Sequence, residues 1–120
     1  MAIRCLIVDD NASFLQEAAA RLQRDGLVVA GLASNTREAL ERTQQLQPDV
    51  ALVDITLGSE SGLELARRLV DIGEGAPIVI LISTHAETDF AELIEEAPVA
   101  GFVPKAELSA SAIQRLMAGA

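Results

Sequence analysis

Polar side chains that could carry out chemistry follow four of the apolar runs in this chain of 120 residues. The set comprises three acids, two hydroxyl residues and one lysine: Asp9, Asp10, Asp54, Ser83, Thr84 and Lys105. Oxygen ligands with room for water suit Mg²⁺ or Mn²⁺, and no His or Cys is placed to favour zinc. Beside such a cation, an ionised aspartate could attack phosphorus while the ammonium, hydroxyl and backbone N–H groups hold the phosphoryl oxygens.

Each of these residues also has a purely structural interpretation. Asp9 and Asp10 could favour the positive end of a helix by about 0.3–1 kcal/mol, and Ser83 or Thr84 could cap one. Three acids at one end of a sheet need compensating positive charge, because two carboxylates about 4 Å apart repel by about 4 kcal/mol at an effective dielectric near 20. Lys105 supplies one positive charge, and a hard divalent ion would supply the rest.

The apolar runs recur at intervals of roughly 20 to 30 residues, the pitch of βαβ units. They predict five strands: Ile3–Val8, Leu27–Ala33, Val50–Asp54, Pro77–Ile82 and Val99–Val103. Five helices are predicted between and after them: Asn11 to Gly26, Asn35 to Pro48, Gly62 to Val70, Glu87 to Glu96 and Glu107 to Met117. Strands that are apolar on both faces indicate a doubly wound α/β fold, a parallel sheet covered by helices on both sides. Ligands of such sheets bind beyond the carboxyl ends of the strands, where all four sets of polar residues fall.

Length and charge restrict the class of protein. A chain of 120 residues is expected to form a single domain over residues 1–120. Its 9 basic and 18 acidic residues give a net charge of −9, which argues against unaided binding to nucleic acid or to an anionic membrane. Cys5 is the single cysteine, and neither a leader nor a membrane-spanning run is evident, so we expect a cytoplasmic protein.

Four short motifs, taken together and in order, resemble the receiver domains of two-component response regulators, and the likeness runs from Ile3 to about Met117. The motifs are Val8-Asp9-Asp10-Asn11, Val53-Asp54-Ile55-Thr56-Leu57 with Gly62 eight residues after the acid, Ile82-Ser83-Thr84, and Phe102-Val103-Pro104-Lys105. The resemblance implies a flavodoxin-like (βα)5 fold with strand order 2-1-3-4-5. It also implies a phosphoacceptor signalling domain whose only catalysis is its own phosphorylation and dephosphorylation.

The resemblance implies an acceptor and a metal site. Asp54 would take a phosphoryl group from a histidine kinase or a phosphotransfer protein. Asp10 would bind Mg²⁺ directly and Asp9 mostly through water, and the backbone carbonyl of Thr56 would complete the protein's share of the metal shell.

The resemblance further implies a switch. Lys105, the Ser83 hydroxyl and the N–H groups of Thr56 and Thr84 would contact phosphoryl oxygens, and Phe102 would be the aromatic switch residue. The face built from strand 4, helix 4, strand 5 and helix 5 would then control an output domain or a downstream protein, with homodimer formation on phosphorylation as one outcome.

Two positions depart from the family pattern. Gly58 stands where the family usually has proline, which predicts a more mobile loop up to Gly62. Lys105 is followed by Ala106 in place of the common proline, as in receivers attached to helix-turn-helix output domains. His85, two residues after Ser83, is at a position from which a side chain can tune the access of attacking water.

Three other functions compete with this one. A haloacid-dehalogenase-like phosphatase needs Asp-x-Asp after an early strand, a spacing that neither Asp9-Asp10-Asn11 nor Asp54-Ile55-Thr56 has. A flavodoxin-like flavin carrier needs a Ser/Thr/Gly-rich phosphate loop after the first strand, where this chain has two acids. A receiver-like interaction module that works without phosphorylation remains the open alternative.

Overall fold

Five parallel strands form the central sheet of the computed structural model, which describes residues 2–84 and 91–119. The strands are β1 (Arg4–Val8), β2 (Val28–Ala33), β3 (Val50–Asp54), β4 (Ile78–Ser83) and β5 (Gly101–Pro104). They lie side by side in the order β2-β1-β3-β4-β5, which confirms the predicted fold class and strand order. The helices are α1 (Ala12–Arg24), α2 (Thr36–Leu46), α3 (Gly62–Val70), α4 (Ala91–Glu96) and α5 (Ala110–Ala118).

The sheet separates two buried apolar clusters. Successive side chains of a strand point to opposite faces, so Val50 and Leu52 of β3 join one cluster while Ala51 and Val53 join the other. Helices α1 and α5 cover the first cluster, which we call the α1/α5 core, and helices α2 and α3 cover the second, the α2/α3 core. Because both faces are covered, all five residues of β3 are buried.

Side-chain caps start four of the helices. The caps are Asn11, Asn35, Ser61 and Ser109, whose side-chain oxygens each accept a hydrogen bond from a backbone N–H in the first turn. Such caps satisfy one of the N–H groups that lack a partner inside the helix. Asn11 and Asn35, where the sequence predicts the first two helices to begin, are thus their N-caps.

The last helix begins later than the sequence predicts. Lys105–Glu107 form a short 3₁₀ turn, and α5 starts only at Ala110. Leu108 between them takes an extended backbone and is buried, 3% exposed, in the α1/α5 core. Ser109 then caps α5, so the prediction of a helix from Glu107 was wrong by about one turn.

The predicted fourth helix reaches into a part of the chain that the structure does not describe. Within the described residues the helix covers Ala91–Glu96, and the predicted positions 87–90 lie outside them.

The carboxyl end of α2 is fixed by an arginine from β1. Gln47 follows the helix with a φ of 47°, in the left-handed region. The Arg4 guanidinium donates to the carbonyl oxygens of Leu46 at 2.6 Å and Gln47 at 3.1 Å. These bonds satisfy carbonyls that the helix itself leaves open.

In the part of the chain that the structure describes, no helix combines the length and the apolar character of a membrane span.

Candidate functional site

Three acids meet at the carboxyl ends of β1 and β3. Asp9 and Asp10 follow β1, Asp54 is the last residue of β3, and these two strands are neighbours in the sheet. One carboxylate oxygen from each acid lies within 4.8 Å of the others. The parallel topology thus brings together residues that are far apart in the chain, as expected for the switch point of such a sheet.

Lys105 brings a positive charge to these acids from the end of β5. Its Nζ donates to Oδ2 of Asp54 at 3.1 Å and lies 2.5 Å from Oδ2 of Asp9. The side chain of Lys105 is 12% exposed, and its ammonium group lies 4.4 Å from the centroid of the Phe14 ring. Lys105 is therefore an inward-facing ion-pair partner and not a solvated surface lysine.

Asp9 is the most buried member of the site. Its Oδ1 accepts a hydrogen bond from the backbone N–H of Asn11 at 2.8 Å. Its Oδ2 touches Lys105 without hydrogen-bond alignment and, among the described residues, is a buried oxygen that lacks a hydrogen-bond donor. The ammonium group of Lys105 supplies the positive charge that this buried carboxylate needs.

The three carboxylates fit a hard divalent cation. They offer only oxygen ligands, and exposed Asp10 leaves one side open to water. This ligand set and this access suit Mg²⁺ or Mn²⁺. The group Asp9, Asp10 and Asp54 could therefore hold a metal ion.

The protonation of Asp54 and Lys105 reflects burial and charge together. Burial raises the pKa of Asp54 above its ordinary value, and the Thr56 N–H and Lys105 only partly oppose this effect. Burial by itself would lower the pKa of Lys105, but contacts with Asp9 and Asp54 outweigh it, so that this pKa is raised. Lys105 consequently stays an ammonium group at neutral pH, and Asp54 ionises against the cost of desolvation.

The remaining predicted residues surround this centre. Ser83, the last residue of β4, is 1% exposed and pairs in register with Pro104 of β5. Thr84 is exposed and lines a pocket of about 320 Å³ together with Phe14 and Lys105. The pocket opens beside the acids, between α1 and the residues after β5.

Of the two remaining predicted residues, Thr56 bonds to the central acid and Phe102 packs against the apolar core. Exposed Thr56 donates its backbone N–H to Oδ1 of Asp54 at 3.1 Å. Phe102 on β5 is partly buried against the α2/α3 core. The role expected of His85 stays a prediction, since His85 lies outside the described residues.

The segment after Asp54, predicted only as a loop, forms a two-residue hairpin. Thr56–Leu57 pairs antiparallel with Glu60–Ser61, around a turn in which Gly58 has a φ of 59°. A proline ring holds φ near −65°, so this turn could not form with the family's usual proline. The mobility expected from Gly58 stays a prediction.

Gly62 packs against the backbone of the central acid. A Cβ atom at this position would lie 1.7 Å from the carbonyl oxygen of Asp54, and the Gly62 N–H donates to the carbonyl oxygen of Ile55 at 2.8 Å. The spacing of eight residues between Asp54 and Gly62 thus reflects a close approach that only glycine permits.

Sequence reasoning missed two residues near the site. Phe14, which the sequence places only inside the first predicted helix, contacts the Lys105 ammonium group. Glu60, assigned only to a loop, accepts a hydrogen bond from the N–H of Thr36 with its carboxylate. A signal for Phe14 existed, because it lies one turn after Asn11 and therefore at the same end of the sheet as the acids.

Comparisons with known proteins agree with this geometry. Residues 5–117 match the response regulator receiver domain family. The chemotaxis protein CheY of Thermotoga maritima is 32% identical over 95 residues, which cover 79% of this chain and 79% of that protein. The response regulator GacA of Pseudomonas viridiflava is 30% identical over 116 residues, 95% of this chain but 53% of GacA, so the chain spans about half the length of that relative. A solved LuxR-family two-component response regulator from Aurantimonas sp. SI85-9A1 has a TM-score of 0.83 at 30% identity, with 99% of this chain and 87% of that chain covered.

Proposed function

Since this chain belongs to the response regulator receiver domain family, we propose that it is a Mg²⁺-dependent phosphoacceptor whose Asp54 takes a phosphoryl group from a histidine kinase or a phosphotransfer protein. The observation that carries the proposal is the ion-pair arrangement around Asp54. One oxygen of Asp54 lies 3.1 Å from the ammonium group of Lys105, and the carboxylate lies within 4.8 Å of two further acids.

The metal would be held by Asp9, Asp10, Asp54 and the backbone carbonyl of Thr56. Bound there, Mg²⁺ would neutralise charge on the acids and on the incoming phosphoryl group. Asp10 is exposed and would bind the ion directly, whereas Asp9 would act mostly through water.

The transfer itself is a nucleophilic substitution by the Asp54 carboxylate. Its oxygen forms a bond to phosphorus as the bond from phosphorus to the donor's imidazole nitrogen breaks, and that nitrogen keeps the electron pair. Lys105, the Ser83 hydroxyl and the N–H groups of Thr56 and Thr84 would hold the phosphoryl oxygens. Lys105 needs little rearrangement for this task, because Asp9 and Phe14 already hold its ammonium group beside Asp54.

We also propose the output of this reaction. Movement of Ser83 toward the phosphoryl group would act on β5, to which Ser83 is joined through Pro104, and the rotamer of Phe102 would follow. The face built from β4, α4, β5 and α5 would then change its contacts with an output domain, a downstream protein or a second copy of the chain. The net charge of −9 disfavours direct nucleic-acid binding by this domain, and we propose that it works in the cytoplasm, where histidine kinases present their phosphoryl groups.

Intact-mass spectrometry tests the acceptor, since the chain has no Trp to report binding by fluorescence. Incubation with acetyl phosphate and Mg²⁺ should add one phosphoryl mass, and EDTA should prevent the addition. Asp54→Asn should remove the labelling, while Asp71→Asn, at the exposed carboxyl end of α3, should retain it.

Labelling that persists unchanged in the Asp54 variant would refute the acceptor. A wild-type protein that gains no mass with either acetyl phosphate or a phosphorylated kinase domain would instead favour an interaction module that works without phosphorylation.

A further inference from the structure

We infer that Glu60 is a positioning residue, which ties the hairpin after Asp54 to the start of α2 and thereby holds the turn at Gly58 beside the metal-binding acids. This inference rests on the proposed function, because it assigns Glu60 to the same site.

The tie is a hydrogen bond between residues 24 positions apart in the chain. Oε1 of Glu60 accepts from the backbone N–H of Thr36 at 2.8 Å. Thr36 is the first residue of α2, and N–H groups there have no partner within the helix and carry partial positive charge. A carboxylate acceptor is well suited to that position, and a bond to a charged group is stronger than a neutral one.

Two neighbouring N–H groups, those of Glu38 in α2 and of Ser34 before the helix, have local partners, whereas the Thr36 N–H bonds to Glu60. Oδ1 of Asn35 accepts from the N–H of Glu38 at 2.8 Å. The Glu38 carboxylate in turn accepts from the N–H and the hydroxyl of Ser34, at 2.9 and 2.8 Å. Glu60 therefore contributes to the capping of α2 from a different part of the chain.

The hairpin transmits this tie to its turn. Glu60 pairs directly with Leu57, whose side chain is 3% exposed in the α2/α3 core. Gly58 and Ser59 form the turn between them. With Leu57 held by the core and Glu60 by α2, both ends of this two-residue turn are fixed.

The first strand and the turn of the hairpin lie against two acids of the site. A Cβ atom on Gly58 would lie 3.5 Å from Oδ2 of Asp10, so the turn lies against this exposed acid. At the start of the hairpin, the Thr56 N–H donates to Oδ1 of Asp54 at 3.1 Å. A shift of the hairpin would therefore change the spacing between Asp10 and Asp54, two of the three acids proposed to hold Mg²⁺.

Amide exchange and Mg²⁺ titration of the full chain test this role, and neither needs phosphorylation. Glu60→Ala should speed exchange of the Thr36 amide about tenfold. It should weaken Mg²⁺ binding about three- to tenfold, less than the roughly 10- to 100-fold effect of groups that bond directly to metal ligands, because Glu60 acts through the hairpin. The midpoint of thermal unfolding should fall by only a few degrees, since Glu60 is exposed and a single capping bond is lost. Glu60→Gln keeps an acceptor oxygen and should retain most of the amide protection and of the Mg²⁺ affinity.

Two further variants separate position from charge. Thr36→Pro removes the N–H that bonds to Glu60. The first position of a helix tolerates proline, and the backbone of the preceding Asn35 is already extended, as proline requires. This variant should weaken Mg²⁺ binding as Glu60→Ala does, and the effects of the two substitutions should not add. Glu41→Ala removes an exposed acid that pairs with Arg37 on α2 and should leave Mg²⁺ affinity unchanged.

The inference is overturned if Glu60→Ala leaves Thr36 exchange and Mg²⁺ affinity at wild-type values. It is also overturned if Glu60→Gln weakens Mg²⁺ binding as much as Glu60→Ala, since charge alone would then explain the effect. A wild-type chain that binds Mg²⁺ but takes up no phosphoryl group would refute the proposed function. The role of Glu60 would then still be decided by the Thr36 amide exchange and the Mg²⁺ titration.

Discussion

The Nζ atom of Lys105 lies 4.4 Å from the centroid of the Phe14 ring, within the range of a cation–π interaction. Such contacts contribute about 0.5–2 kcal/mol, more when the cation is shielded from water, and Lys105 is largely buried. A double-mutant cycle of Phe14→Leu and Lys105→Met should therefore give a coupling of about 1 kcal/mol in the free energy of unfolding, measured with urea. Phe14→Leu combined with Arg37→Met, on the exposed surface of α2, should be additive; a Phe14–Lys105 cycle that is also additive would contradict the contact.

Asp54 should make the stability of the domain depend on pH. Because burial raises its pKa, the folded state binds the Asp54 proton more readily than the unfolded state does. The contribution of protonated Asp54 to the free energy of unfolding is fully present below the pKa that Asp54 has in the unfolded chain, about 4. It is lost as the pH rises through the higher pKa of Asp54 in the folded protein. Uncharged Asp54→Asn should then be more stable than wild type at pH 7 without divalent ions, and its advantage should shrink toward pH 4.

Urea unfolding of both proteins in EDTA at pH 4, 5, 6 and 7 measures this dependence. An advantage of Asp54→Asn that grows as the pH falls would show that the sign is wrong. Asp71→Asn, at the exposed end of α3, serves as the control for loss of one negative charge.

Gly62→Ala should cost at least about 3 kcal/mol of stability, because the new Cβ would meet the Asp54 carbonyl oxygen at 1.7 Å and the backbone would have to move. Gly73→Ala is the matched control. Gly73 has a φ of 84°, but a Cβ added there would meet no atom within 4 Å, so only backbone strain of about 1–2 kcal/mol is expected. Equal losses in chemical denaturation would contradict the steric explanation.

Cys5 should be almost inert in the folded protein. Burial raises the pKa of its thiol to about 11, and the residue is 0% exposed. Alkylation by iodoacetamide at pH 8, followed by mass spectrometry, should be at least about a hundredfold slower in the folded protein than in urea, since the thiolate is the reactive form. Rapid labelling of the folded protein would contradict the burial.

The same raised pKa gives Cys5 a pH dependence of stability. Its contribution is present below about pH 9 and lost as the pH rises through about 11, because the unfolded thiol ionises first. Cys5→Ala should lack this part of the slope.

Gln47→Gly should stabilise the domain by about 0.5–1 kcal/mol, because Gln47 takes a φ of 47°, which glycine adopts without strain. The control is Gln44→Gly inside α2, where glycine should cost about 1 kcal/mol. Thermal unfolding of the two variants should therefore shift the midpoint in opposite directions, and a shift in the same direction would contradict the left-handed cap.

The sequence predicts most accurately the parts of this fold that are fully buried. The bounds of β3, Val50–Asp54, agree with the prediction because an apolar run bounded by acid and loop residues leaves no other choice. The convergence of Asp9, Asp10 and Asp54 follows from parallel topology alone, since strand ends at one edge must meet.

Contacts that depend on rotamers and helix phase could not be predicted in this way. Lys105 reaches Phe14, and Glu60 reaches Thr36, only because helices and hairpin are placed within a few ångströms of each other, which no local pattern encodes. The late start of α5 is a different case. Ser109 is a good N-cap and is a usable signal, although the predicted helix starts two residues earlier, at Glu107.

The division of the interior by the sheet has a consequence for how this sequence can diverge. Side chains that pack beneath α1 and α5 belong to one cluster and those beneath α2 and α3 to another, so substitutions on the two sides should be nearly independent in their energetic cost. Each half of the interior can therefore drift or be redesigned on its own.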